Sequence, residues 1–140
     1  MNREIKFRGK RKDNGEWVYG FYFETRMSGV YILSTKVEAK SVGGKLIHIN
    51  VDPTTVGQYI GIRDKNGKEI YEEDIVRCYE ENYGDEWVAR VRYCADRDYP
   101  AFELEPYPDV DCNAISHYQA AGVIEVIGNV HDHPELLEVE

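Results

Sequence analysis

Alternation of apolar residues by two is common in this chain, and the three-and-four spacing of an amphipathic helix is scarce. Alternation by two puts successive side chains on opposite faces of a strand, so the pattern commits the chain to a mainly β fold. "EIKFRGK" places Ile5 and Phe7 on one face and Lys6 and Arg8 on the other. "WVARVRY" sends Trp87, Ala89, Val91 and Tyr93 one way and Arg90 and Arg92 the other. "EWVYGFYF" is apolar on both faces, the pattern of a strand covered twice. "VYILS", "LIHINV", "AFELE" and "GVIEVIGNV" supply further strands, and Asn14-Gly15, Gly43-Gly44, Asn66-Gly67 and Pro100 punctuate them. Short strands with close turn signals predict a small barrel or sandwich. Two short helical pieces are expected on the strand core. "CNAISHYQAAG" ends on a Gly122 C-cap, and "HPELLEV" closes the chain.

Two segments share one turn chemistry. "RKDNGEWVYG" (11–20) and "RDKNGKEIYE" (63–72) both run from basic residues and an aspartate into Asn-Gly. Both then set a β-branched apolar residue and a tyrosine three and four positions past the glycine. Asn-Gly is the strongest short hairpin signal, because both residues tolerate positive φ. Convergent turn chemistry accounts for the match without a duplication. "YEEDIVRCY" and the alternating "WVARVRY" follow the second copy, as many SH3-like barrels enter a core strand. The expected organisation is a small N-terminal β region over 1–57 and an SH3-like β-barrel over 58–140. The boundary falls near "NVDPTTVG", where charge balance changes and Pro53 interrupts a strand.

Charge divides the chain. Residues 1–50 carry ten Lys/Arg and five Asp/Glu, a balance of +5, whereas residues 51–140 carry seven against twenty-one, a balance of −14. The acidic part repels phosphate backbones, and nucleic acid is not an expected partner of the chain. The basic start (Arg3, Lys6, Arg8, Lys10, Arg11, Lys12) can touch a phosphate, or meet the acidic half of its own chain or of a neighbour. Opposite halves make homo-oligomeric self-association an expectation. Cys78, Cys94 and Cys112 are odd in number and lack metal-knuckle spacing, which fits reduced thiols in a cytoplasmic protein. No apolar run approaches the ~20 residues of a membrane span, and no secretory leader opens the chain.

Three stretches together carry a family resemblance: "REIKFRGKRKDNGEWVYG", "VGQYIGIRDKNGKEIYEEDIVR" and "VIGNVHDHPELL". In that order they resemble the YopX-like proteins of phages and prophages, largely of Firmicutes. Residues 94–120 carry no part of the resemblance. It implies an SH3-type barrel in the C-terminal part and a phage origin. It brings no catalytic residue and no cofactor.

The residues offer few chemical constellations. His131 and His133 flank Asp132, but "HDHPELL" reads as a loop and lacks further nearby ligands, so no metal site is expected. There is no GxSxG, P-loop or GxGxxG, and no catalytic residue is assigned. A small enzyme would have to use scattered groups such as Cys78, Cys94, Cys112 and His117. The paired acids Glu72, Glu73, Asp74, Glu80, Glu81, Asp85 and Glu86 are the other source. A nucleic-acid binder would have to use residues 3–12. The favoured expectation is a non-enzymatic protein-interaction or assembly module with an unknown phage or host protein as partner. Its interface candidates are Trp17, Tyr19, Tyr59, Arg63, Asp64, Tyr71 and Asp74, since Tyr, Trp and Arg anchor protein interfaces. Arg63 and Asp64 can instead pair with each other across the turn.

Overall fold

In the computed structural model the described residues are 4–27, 29–34, 48–80, 85–94, 101–105, 115 and 122–137. The chain divides into two compact units, Met1–Tyr59 and Ile60–Glu140. Both are built of antiparallel strands. Among the described residues no helix is long and apolar enough to cross a membrane.

In the first unit the strands are β1 (Phe7–Lys10), β2 (Trp17–Thr25), β3 (Gly29–Ser34) and β4 (His48–Asn50). They join the start of β5 (Gly57–Arg63) in the order β4-β3-β2-β1-β5. The Asn14-Gly15 turn connects β1 to β2. Gly15 takes a φ of 74°, and Asn14 Oδ1 accepts the Glu16 amide at 2.9 Å. Arg11 clamps the same turn with two bonds to the Asp13 carboxylate, 2.9 and 2.7 Å long. Pro53 does not interrupt a strand. It opens a 3-10 turn, Pro53–Thr55, capped by Asp52, whose carboxylate accepts the Thr54 amide at 3.0 Å. Ile32 and Val51 are fully buried, and Gly9 lies so close to Val51 that an added Cβ would sit 3.1 Å from that side chain.

β2 departs from its expected environment. Its apolar residues on both faces predict double coverage, yet Tyr19, Phe21, Tyr22 and Phe23 are all exposed. Period two tells which face a residue takes but not whether a second layer lies over that face.

The second unit holds the rest of β5, β6 (Glu69–Tyr71), β7 (Asp74–Glu80), β8 (Asp85–Cys94), β9 (Ala101–Glu105) and β10 (Ile124–Asn129). The last four form a sheet in the order β10-β7-β8-β9. Register puts Val76, Cys78, Ala89, Val91, Leu104 and Ile124 on one face, and all six are fully buried. Ile70, Ile115 and Val123 complete that core. Trp87, Ala89, Val91 and Tyr93 share this face as expected, although Tyr93 is half exposed at the strand's end.

No closed barrel forms among the described residues: β10 and β9 stand at opposite edges of the four-stranded sheet. β10 pairs with β7, on the side of the sheet away from β9. The expected helix over "CNAISHYQAAG" lies outside the described residues, apart from a buried helical Ile115 and Gly122 at φ 72°. At the C-terminus the helical turn is a 3-10 turn, Pro134–Leu137.

Candidate functional site

The motif-rich segment around Asn66-Gly67 is the first place to look, and its side chains are turned to folding. Asp64 is buried, and one of its carboxylate oxygens accepts the Asn66 and Lys68 amides, each at 2.9 Å. The other accepts the Val126 amide of β10 at 2.9 Å. One aspartate thus ties a hairpin turn to a strand far along the chain. Arg63 does not pair with it. Its guanidinium donates to the Gly67 carbonyl at 3.0 Å and lies 3.5 Å from Glu69. The next turn is organised the same way, with buried Asp74 accepting the Tyr71 amide at 2.8 Å. Between them Glu73 adopts a φ of 68°, held by its amide on Val91 O at 2.7 Å and its carbonyl under Val130 N at 2.9 Å.

The C-terminal motif closes on this knot. Asn129 pairs with Asp74 across the sheet, and its Oδ1 accepts the amides of His131 and Asp132 at 3.0 and 2.9 Å. His133 Nδ1 accepts the Asn129 amide at 3.3 Å, and an added Cβ on Gly128 would lie 2.8 Å from the same nitrogen. His131 and His133 therefore lie in a capped turn. No group of three or more His, Cys, Asp or Glu residues that could hold a metal occurs among the described residues.

Of the acids that could have served an enzyme, Asp74, Glu73 and Glu86 are similarly engaged, and Glu105 shares the arginine of Glu73. Glu73 and Glu105 flank Arg90 at 3.6 Å each, Glu105 meets Arg92 at 2.9 Å, and Glu86 meets Arg77 at 2.7 Å. Cys78 is buried in the core. Cys112, His117, Glu81 and the side chains of Glu80, Asp85 and Cys94 lie outside the described residues.

Of the seven interface candidates, burial removes four from any surface: Tyr59, Asp64, Tyr71 and Asp74. Arg63 is exposed at its turn. Trp17 and Tyr19 fall together on one face of the first sheet, and register shows what accompanies them. Arg8 pairs with Tyr19, Lys10 with Trp17, Phe21 with Leu33, and Phe23 with Tyr31. His48 pairs with Leu33. Paired residues share a face. This face therefore carries Trp17, Tyr19, Phe21 and Phe23 in a row along β2. Tyr31 and His48 lie on one side of the row, and Arg8 and Lys10 on the other.

The rings along this row are exposed: Tyr19 at 36%, Phe21 at 53% and Phe23 at 37%. Phe23 stacks on Tyr31 with centroids 5.3 Å apart, and His48 stands edge-on to Tyr31 at 5.4 Å. At the other end the Arg8 guanidinium lies 4.6 Å from the Trp17 ring centre, and Lys10 Nζ 5.5 Å from it. Lys6 lies over the Tyr59 ring at 5.6 Å and meets Glu4 at 3.1 Å. Among the described strand residues on this face of the first unit there is no Asp or Glu. Phe21, Phe23, Tyr31 and His48 were not singled out from the sequence. The only available signal was the aromatic period of two in "WVYGFYF", which looks the same for a buried strand.

Fold and surface together define a class: a two-unit antiparallel β protein whose N-terminal sheet presents a row of exposed aromatic rings, with a buried Arg8 and a half-buried Lys10 packed over Trp17 at one end. The chain belongs to the YopX family. The family model described as "YopX protein" matches residues 6–138, nearly the whole length. Its structure is also similar to the crystal structure of protein EF1440 from Enterococcus faecalis. The identity is 26% and the TM-score 0.58, over 97% of this chain and 99% of that one. No curated protein matches the chain.

Proposed function

We propose that this YopX-family protein is a non-enzymatic interaction or assembly module, and that it works through the open face of its first sheet. One observation carries the reading. Tyr19, Phe21 and Phe23 stand exposed in a single row, which folding alone does not require. Contiguous exposed apolar surface on a soluble chain marks a site of association. Aromatic rings supply large contact area at little entropic cost. The rings alone suit any partner with a flat apolar or π surface, a phage or host protein included.

The test is a comparative capture. Tagged wild type and the double variant Phe21→Ser with Phe23→Ser are exposed to the same bacterial lysate, and the eluates are read for protein and nucleic acid. The module reading expects a partner held by the wild type and lost from a variant that melts normally. Equal capture by both would sink it.

Charge favours a second reading beside the first. With +5 in residues 1–50 and −14 in residues 51–140, copies of the chain attract head to tail. Light scattering across a salt series decides this. Dissociation as salt rises supports electrostatic self-association, and a mass unchanged by salt removes it.

A further inference from the structure

We infer that Asn14-Gly15, in the turn between β1 and β2, is a site of self-modification. The Gly15 amide nitrogen attacks the side-chain carbonyl carbon of Asn14 and converts the asparagine to aspartate and isoaspartate. The inference stands apart from the reading of the aromatic face as a working surface. In the first step a bond forms between Gly15 N and Asn14 Cγ, and Nδ2 leaves as ammonia, the proton that Gly15 N gives up making the balance. Water then opens the cyclic imide at either of its carbonyls. One opening gives aspartate, and the other gives isoaspartate, whose backbone is longer by a methylene. Solvent supplies the base and the water.

The chain holds Asn-Gly twice, at 14–15 and at 66–67, and the two copies are held differently. Glycine has no Cβ, so nothing on it hinders the approach of its nitrogen to the preceding side chain. In both copies the asparagine and the glycine are exposed, and an added Cβ on the glycine would meet nothing within 4 Å. Access of water therefore does not separate the copies. Their hydrogen bonds do.

In the first turn Asn14 Oδ1 accepts the Glu16 amide at 2.9 Å. That bond folds the side chain back over the Asn14–Gly15 peptide and polarises the carbonyl that is attacked. A donor already in place on this oxygen also stabilises the charge it gains as Gly15 N adds. The opposing bond is from Gly15 N–H to Arg11 O at 3.0 Å, and it has to open before the nitrogen can turn. In the second turn Gly67 N–H donates to Asp64 O, also at 3.0 Å. There the carboxylate of Asp64, not the side chain of Asn66, takes the turn's amides, those of Asn66 and Lys68 at 2.9 Å each. Turning the Asn66–Gly67 peptide breaks the Lys68 bond as well, whereas the Glu16 amide is bonded to the reacting residue itself. The extra bond is charge-assisted, and having to break it slows local opening about tenfold or more.

Conversion at position 14 acts on a defined part of the sheet. Strands β1 and β2 leave this turn at the Lys10–Trp17 pair. A new carboxylate at 14 adjoins Asp13, which binds Arg11 at 2.7 Å, and competes with it for the guanidinium. An isoaspartate also lengthens the turn, so the modified chain is loosened at the Trp17 end of the hairpin.

Peptide mapping by mass spectrometry tests the proposal, using the full-length protein held at physiological temperature and mildly alkaline pH. A parallel sample is kept unfolded in guanidinium chloride, and fragmentation that separates aspartate from isoaspartate reads each site. In the native protein Asn14 should convert about tenfold faster than Asn66, or more. In the unfolded sample the two should convert at closely similar rates, since both are followed by glycine. A native Asn66 that keeps pace with Asn14 would overturn the proposal, because the hydrogen bonds would then decide nothing. A native Asn14 that stays intact while the unfolded sample converts would overturn it too, by showing that the Gly15–Arg11 bond protects the turn. A lead of Asn14 that is just as large in the unfolded sample would assign the difference to neighbouring residues in the sequence and overturn the structural account.

Discussion

The turn around Asn66-Gly67 and the face of β2 use similar residue types to opposite ends. In the second unit Asp64, Asp74, Tyr71 and Asn129 are buried, and three of them accept amides from turns or from a neighbouring strand. In the first unit the rings of Tyr19, Phe21 and Phe23 face solvent. The richest motifs of the sequence lie in the second unit's turns, where Asp64, Asp74 and Asn129 all bind backbone amides. The candidate surface lies instead on a strand with no motif beyond alternation. Motif density here marks what the fold cannot lose, and exposure marks what remains for binding.

Replacing the anchor at Asp64 should separate the two regions most widely. Asp64→Ala orphans three backbone amides, those of Asn66, Lys68 and Val126. Charge-assisted bonds of this kind are strong, and a buried donor left unmade bears its full desolvation cost. A loss of about 3 kcal/mol or more is expected in urea unfolding. Phe21→Ser, on an exposed ring, should change stability by no more than about 0.5 kcal/mol. If Phe21→Ser proves as damaging as Asp64→Ala, β2 is structural and the contrast between the regions collapses.

The glycines refine the comparison within each unit. Gly128 lies under His133 and Leu136, with an added Cβ 2.8 Å from His133 Nδ1 and 3.0 Å from Leu136 Cδ1. His133 cannot give way freely, because that nitrogen accepts the Asn129 amide. Gly128→Ala should therefore cost about 1–3 kcal/mol as overpacking, and it should raise amide exchange at Asn129. Gly9→Ala meets Val51 at 3.1 Å, a milder approach to a fully buried side chain. A cost near the lower end of that range is expected, measured by the same unfolding curves. A Gly9 cost above the Gly128 cost would mean that the first unit's core, built on Ile32 and Val51, is the less yielding of the two.

Much of the architecture was legible because strands announce themselves by period two. The faces of "WVARVRY" follow directly from it, and Asn14-Gly15 and Asn66-Gly67 form turns as expected, with positive φ at each glycine and not at the asparagine before it. Two things were not legible. Whether β9 meets β10 to close a barrel depends on which distant strand each one pairs with, and alternation is silent on pairing. Whether an aspartate is surface or anchor depends equally on distance. Asp64 reads as a turn residue until the Val126 amide, 62 residues on, reaches its second oxygen. The same blindness made Tyr59 and Tyr71 look available and left Phe21 and Phe23 looking like core.

The smallest effect concerns how charge is used at Arg90, Arg92 and Glu105, on the face of the second unit's sheet opposite Val76, Ala89 and Val91. Glu105 is held below the usual carboxylate range, first by its hydrogen bond from Arg92 and then by the charge of Arg90, with partial burial opposing both. A carboxyl group with a depressed folded-state pKa adds stability above its unfolded value, and that stability is lost as pH falls through the folded value. Wild type should therefore exceed Arg92→Gln in stability at neutral pH, and the gap should close as Glu105 takes up its proton in acid. Both partners are substantially exposed, at 49% and 42% for their side chains, so solvent screening limits the gap to about 1 kcal/mol or less. Melting curves of the two proteins from neutral pH into the acid range measure it directly. A gap that persists below the folded-state value would assign the effect to the packing of the Arg92 stem on the sheet. Glu105 would then be a solvated charge rather than part of a paired lattice, and the opposition between a charge-paired second unit and an aromatic first unit would rest on the buried acids.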